Sequence, residues 1–208
     1  MFIKICGITQ PEQAYNISRY GATHIGVVFF EKSPRHVSLE EIRHIKEAVS
    51  DSTKLVAVVV NPTKEIVNSL FEFVDMVQFH GDEPLEFISQ FPKEKVIKAF
   101  RLKDEKVFNE IEKFLKNDYL ILVDSYSKGA YGGTGKQINK DFLYKLKRIT
   151  DRFILSGGLS ETNVGKLIDE IKPYGVDASS KLEVSPGIKD LEKVKKFIKI
   201  AKDKLGDT

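Results

Sequence analysis

Two side chains stand where a chain rarely places them without purpose. Cys6, the one cysteine among 208 residues, ends the apolar run FIKIC and is followed at once by Gly7. Asp124 ends a second apolar run, YLILVD. A free thiol has a pKa of about 8.5, which a neighbouring cation lowers. Lys4 lies two residues before Cys6, on the same face of an extended strand, and is the candidate cation. A thiolate there would act as a nucleophile or as a proton-abstracting base. The alternative is that Cys6 is a small buried hydrophobe, the usual state of a lone cysteine. A carboxyl group at the tip of an apolar strand is costly unless paired or functional. Asp124 therefore caps the following loop, pairs with Lys4, or exchanges a proton with a ligand.

Other stretches offer binding groups. FILSGGLSETNV sets Gly157 and Gly158 between a strand-like run and a helical pattern, and SSKLEVSPG supplies Ser179, Ser180 and Lys181. Backbone N–H groups at such a turn, with glycine permitting close approach, suit a phosphate; the alternative is a pair of tight turns. Arg35 in FFEKSPRHVS carries a planar fork suited to a carboxylate, or else is simply solvated. His80 in QFHGDE has no second His or Cys at ligand spacing, so no metal centre is expected. The glycine-rich YGGTGKQ, residues 131–137, lacks the spacing of a nucleotide-binding P-loop. It reads as a substrate-covering loop or as a flexible connector.

These groups need a scaffold. Eight short β-branched or apolar runs recur along the chain: FIKIC (2–6), THIGVVF (23–29), KLVAVVV (54–60), DMVQFH (75–80), KVIKAF (95–100), YLILVD (119–124), RFILS (152–156) and GVDASS (175–180). Between them lie amphipathic segments. Examples are PEQAYNISRY with Pro in its first turn, SLEEIRHIKEAV opening with a Ser38/Glu41 capping box, SETNVGKLIDEI over 160–171, and DLEKVKKFIKIAK. Strict strand–helix alternation predicts a parallel sheet, and eight repeats predict closure into a (β/α)8 TIM barrel. An open doubly wound sheet would carry a glycine-rich turn after its first strand, and the GIT that follows Cys6 is not one. No Pro/Gly/Ser linker divides the chain, so residues 1–208 read as a single domain. The longest loops, 30–37 and 125–139, are expected to be functional.

In such a barrel the site lies at the C-terminal ends of the strands. Alternation then points Phe2, Lys4 and Cys6 inward while Ile3 and Ile5 face the helices. The same parity turns Gln78, His80, Leu122, Asp124 and Asp177 inward, and Lys98 is expected to join them.

The bulk composition narrows the partners. The net charge is only +3, with lysines interspersed among acids, so no nucleic-acid footprint is expected. No apolar stretch approaches the roughly 18 residues of a membrane span, and the chain starts on a strand-like segment rather than a secretory signal. One cysteine cannot form an internal disulfide, which points to the reducing cytoplasm.

Taken in order, KICGIT, SPRHVS, VQFHGDE, VD…GGTG, SGGLSETNV and VDASS…PGIKD resemble the motifs of the phosphoribosylanthranilate isomerase family of tryptophan biosynthesis, from Lys4 to Asp190. The resemblance implies a cofactor-free Amadori rearrangement of N-(5-phosphoribosyl)anthranilate to 1-(2-carboxyphenylamino)-1-deoxyribulose 5-phosphate, by a monomer or homodimer. It assigns Cys6 as general base, Asp124 as general acid and Arg35 as the holder of the anthranilate carboxylate. His80 and Asp177 line the substrate pocket, and Gly157, Gly158, Ser180 and Lys181 form the phosphate cradle. Lys181 stands where the family usually has Gly, which leaves its backbone less free. Two rivals remain. The analogous isomerase of histidine biosynthesis would be expected to end its first strand in Asp rather than Cys, and a non-catalytic phosphate-binding barrel needs neither Cys6 nor Asp124.

Overall fold

The computed structural model describes residues 1–124 and 140–206; the YGGTGKQ segment lies outside the described residues. Eight parallel strands close into a barrel in sequence order. They are β1 (Phe2–Cys6), β2 (His24–Val28), β3 (Lys54–Val59), β4 (Met76–Phe79), β5 (Val96–Arg101), β6 (Leu120–Asp124), β7 (Phe153–Leu155) and β8 (Gly175–Ala178). The helices between and after them are α1 (Pro11–Tyr20), α2 (Leu39–Ala48), α3 (Lys64–Leu70), α4 (Leu85–Ile88), α5 (Val107–Lys116), α6 (Lys140–Lys147), α7 (Val164–Ile171) and α8 (Leu191–Gly206). Pairing of Lys4 with Asp177 and of Ile5 with Ala178 closes the ring between β1 and β8.

Local signals account for many boundaries. Pro11 opens α1, and Gly21, with φ of 95°, ends it in the left-handed conformation that glycine adopts at little cost. The Ser38/Glu41 capping box is formed at α2. Two boundaries differ from expectation. The helix expected over 160–171 begins at Val164, because the Asn163 side chain accepts from the Ser160 N–H at 2.8 Å and donates to the Gly158 carbonyl at 3.0 Å, making a turn of the preceding residues. The run expected to continue through Ser180 stops at Ala178, where Ser180–Leu182 form a 3-10 turn. That turn leads into an antiparallel hairpin of β9 (Glu183–Ser185) and β10 (Ile188–Lys189), reversed at Gly187 with φ of 84°.

Alternation sorts the apolar residues into two cores. Ile3, Ile5, Ile25, Val27, Val77, Phe79, Ile121 and Val123 pack outward against the helices. Phe2, Val56, Met76, Ile97, Ala99, Leu122 and Ile154 fill the barrel floor, where Phe2 stacks on His24 at 3.7 Å. Above this plug the interior turns polar, with Lys4, Gln78, Ser156 and Asp177 all buried.

One inward expectation is corrected. Ile97 and Ala99 take the inward positions of β5, so Lys98 points to the helix layer. There its Nζ donates to Glu83 Oε2 at 2.7 Å and to the Gly81 carbonyl at 2.8 Å. The residue of β5 that follows the inward parity to the strand end is Arg101. No helix among the described residues is long and apolar enough to cross a membrane.

Candidate active site

The C-terminal ends of β1, β6 and β8 bring Cys6, Asp124 and Asp177 to the inside of one barrel mouth. All three side chains are buried, Cys6 being 8% exposed. Space there is limited. A Cβ at Gly26 on β2 would stand 2.8 Å from Cys6 Sγ and 2.9 Å from Lys4 Cε, so the neighbouring strand must carry glycine for the thiol to fit.

Lys4 is fully buried, and its Nζ donates to Asp177 Oδ1 at 3.0 Å. Ser156 Oγ donates to the other carboxylate oxygen at 3.3 Å. Burial works against the Lys4 ammonium, but the charges of Asp177 and Cys6 outweigh it and hold its pKa above the usual lysine value. Burial pushes the Asp177 carboxyl up, and Lys4 offsets this only in part. Lys4 acts on the thiol in the expected direction, but a larger effect overrides it. Burial raises the Cys6 pKa above that of an ordinary thiol, and the Asp177 charge adds to that. Lys4 and Lys189 pull the other way without prevailing. Burial is the main cause, and the nearest cation, Lys4, is engaged by the Asp177 carboxylate. The pairing of Lys4 with Asp124 considered from sequence does not form; Lys4 pairs with Asp177.

At the opposite wall His80 Nε2 lies 3.5 Å from Asp124 Oδ2, and the Gln78 side-chain amide contacts His80 Nδ1 at 3.1 Å. Donation from the Gln78 amide leaves the proton of a neutral imidazole on Nε2, facing Asp124. Arg101 Nη2 donates to the His80 carbonyl at 2.8 Å and ties the ends of β4 and β5 together.

Arg35, in the loop after β2, lies over Gly7: a Cβ on that glycine would stand 2.6 Å from Arg35 Cδ. The guanidinium is therefore next to Cys6 in the fold. It is not simply solvated, since Glu183 takes it in a bidentate pair, Nε to Oε1 at 2.8 Å and Nη2 to Oε2 at 2.6 Å. Hydrogen bonding to Glu183 raises the Arg35 pKa further.

Gly157 and Gly158 follow β7 with φ of 99° and 68°, and their N–H groups donate to no other group among the described residues. The adjacent strand β8 brings the Ser180–Leu182 turn beside them. Lys181 sits in that 3-10 turn with its side chain exposed. Positive φ outside glycine occurs, among the described residues, at Asn61, Asp118 and Lys172, so Lys181 fits its position without the left-handed backbone that would demand glycine.

Sequence reasoning missed Glu183, Lys189 and Arg101. The first two had a readable signal in EVSPGIK, where Pro-Gly between β-prone residues marks a hairpin. Arg101 had none beyond strand parity.

A family model for N-(5'phosphoribosyl)anthranilate (PRA) isomerase matches residues 3–200. The N-(5'-phosphoribosyl)anthranilate isomerase of Sulfurihydrogenibium sp. is 54% identical over 204 residues, covering 98% of this chain and 100% of that one. The Aquifex aeolicus protein of the same name is 46% identical, covering 96% and 98%. Among solved structures, phosphoribosyl anthranilate isomerase from Thermotoga maritima superposes with a TM-score of 0.86 at 33% identity, covering 98% of this chain and 99% of that one. A phosphoribosyl anthranilate isomerase bound to reduced 1-(o-carboxyphenylamino)-1-deoxyribulose 5-phosphate superposes at 0.82, with 32% identity and the same coverage. A further T. maritima structure shows monomers of a dimeric protein. With a barrel closed in this order, a thiol and a carboxyl group at its mouth, and matches spanning almost every residue, the chain belongs to the N-(5'-phosphoribosyl)anthranilate isomerase family.

Proposed function

We propose that the reaction of this family, the rearrangement of N-(5'-phosphoribosyl)anthranilate to the carboxyphenylamino-deoxyribulose phosphate, runs here with Asp124 as acid and Cys6 as base. The observation that carries this reading is their convergence: both are buried, both end inward-facing strand positions, and β6 and β1 stand three places apart around the ring. A flat ligand between them meets one group from each side. Its phosphate would sit at Gly157, Gly158, Ser180 and Lys181, and its carboxylate at Arg35, with His80 and Asp177 lining the space between.

Protonated Asp124 donates to the ring oxygen of the aldosylamine, and the ring opens to an iminium. Cys6 as thiolate then removes the proton from C2, giving an enolamine that tautomerises to the ketone. Over the full cycle the proton taken from C2 is matched by one added at C1. The proton given to the ring oxygen is matched by one lost from the C2 hydroxyl. The raised thiol pKa fits this order of events. Ring opening places a positive charge beside Cys6, and a unit charge at about 4 Å with an effective dielectric of about 20 is worth about 4 kcal/mol, or about three pK units in favour of the thiolate. The proton released by the thiol goes to solvent, from which Asp124 regains the one it gave, so the base is favoured at the stage that needs it.

The test is turnover of the purified chain on the aminosugar, beside Cys6→Ala and Asp124→Asn. Positioned acids and bases contribute about 10²–10⁴-fold each. Each variant should lose at least that order in kcat while keeping its circular dichroism spectrum. A folded Cys6→Ala protein with near-normal kcat would return the thiol to the role of a buried hydrophobe.

A further inference from the structure

One edge of the Arg35 fork is closed in the protein itself. Nε and Nη2 both donate to Glu183, while Nη1 and the second Nη2 hydrogen are uncommitted among the described residues. The Glu183 carboxylate also accepts from Lys189 Nζ at 2.7 Å and from the Gly187 N–H at 3.3 Å. The Glu183 side chain is 5% exposed and that of Lys189 is 0% exposed. The hairpin carrying them is fastened to the start of the barrel. Thr9 Oγ1 donates to the Gly187 carbonyl at 2.8 Å, and the Gln13 side chain makes a two-way amide contact with the Lys189 backbone at 3.2 and 3.0 Å. Two cations thus share one anion, which leaves one positive charge beside Cys6 and Gly7.

We propose that Glu183 is the positioning residue for Arg35: held by the hairpin and by Lys189, it grips the Nε/Nη2 edge and presents the opposite edge to the carboxylate of the substrate. This rests on the reading that Arg35 takes that carboxylate. A free arginine side chain samples many rotamers and must be ordered on binding; Glu183 orders it in advance. Lys189 keeps Glu183 from cancelling the guanidinium charge, so the seat stays attractive to an anion.

The experiment uses two aminosugars, N-(5-phosphoribosyl)anthranilate and the aniline counterpart without the carboxylate. Wild type, Arg35→Ala, Glu183→Gln, Glu183→Ala and the double variant Arg35→Ala/Glu183→Gln are compared, with folding checked by circular dichroism. Glu183→Gln should raise KM for the anthranilate substrate roughly 10- to 100-fold, the size of losing a charge-assisted bond. Its kcat should stay within a few-fold, and the aniline substrate should change less than about threefold. Glu183→Ala should be worse than Glu183→Gln, which keeps one acceptor, and Glu183→Gln should add nothing once Arg35 is Ala. Equal effects of Glu183→Gln on both substrates, with Arg35→Ala still selective, would overturn the proposal alone. A lower KM in Glu183→Ala would also overturn it, showing competition with the substrate instead of positioning. An Arg35→Ala variant that harms both substrates alike would overturn the carboxylate reading of Arg35 and the proposal with it.

Discussion

Replacing Asp177 by Asn should lower the pKa of the Cys6 thiol, and replacing Lys4 by Met should raise it. In the native site Asp177 works against the thiolate twice: its own charge raises the thiol pKa, and it engages Lys4 Nζ at 3.0 Å. A thiol with a pKa of 9.0 is roughly 1% ionised at pH 7, and one raised above that is less so. Removing a unit charge at about 6 Å with an effective dielectric of about 20 is worth about 3 kcal/mol, or about two pK units. Some of this is lost because Lys4, fully buried, is held less firmly in its charged form without Asp177. A net fall of at least about one unit is expected for Asp177→Asn. The same change leaves a buried ammonium without its carboxylate. That costs about 3–5 kcal/mol and lowers Tm by about 6–20 °C at this chain length. The assay is the ultraviolet absorbance of the thiolate followed through a pH titration, with Cys6→Ser as blank. Cys6 is the one cysteine, so no other thiol contributes. An unchanged or higher transition in Asp177→Asn, or a lower one in Lys4→Met, would refute the claim that this ion pair, on top of burial, tunes the ionisation of Cys6.

Gly158→Val should raise KM at least about tenfold with little change in kcat, because φ of 68° is strained for a branched side chain and the added bulk keeps a phosphate from the backbone. Inorganic phosphate should compete in the wild type and not in the variant; an unaltered KM would remove the glycine pair from the phosphate site. His24 bears on acid stability. Burial, then the charges of Lys54 and Lys4, lower its pKa from 6.5 to about 3. The folded state therefore binds fewer protons than the unfolded state between those values. The stability this contributes is whole above pH 6.5 and is lost as pH falls toward about 3, at up to about 1.4 kcal/mol per pH unit. His24→Gln should flatten the dependence of the urea midpoint between pH 7 and 4; equal slopes in the two proteins would exclude His24 as its source.

The barrel was legible because its signals are local. Strand and helix differ in period, so the eight apolar runs and the segments between them announce alternation, and strand parity turned Phe2, Lys4, Cys6, Gln78, His80, Asp124 and Asp177 to the interior as the structure has them. Parity went wrong at Lys98. The run KVIKAF alone does not say which phase is inward, and the choice falls to Ile97 and Ala99, which complete the apolar floor. The start of α7 was misplaced because Asn163 uses its side chain to make a turn where periodicity already reads as helix.

The electrostatic identity of the site was decided elsewhere. Lys4 stands two residues from Cys6, but its charge is claimed by Asp177, 173 positions away, because ring closure makes β8 the neighbour of β1. Arg35 meets Glu183 across 148 positions for a similar reason: the loops after β2 and β8 both overhang the end of β1. Residue types and spacing determine which groups reach the mouth of the barrel. Burial and Coulomb attraction depend on what lies within a few ångströms, so which of those groups are paired, which carry charge and which must wait for the substrate was settled only when the sheet closed.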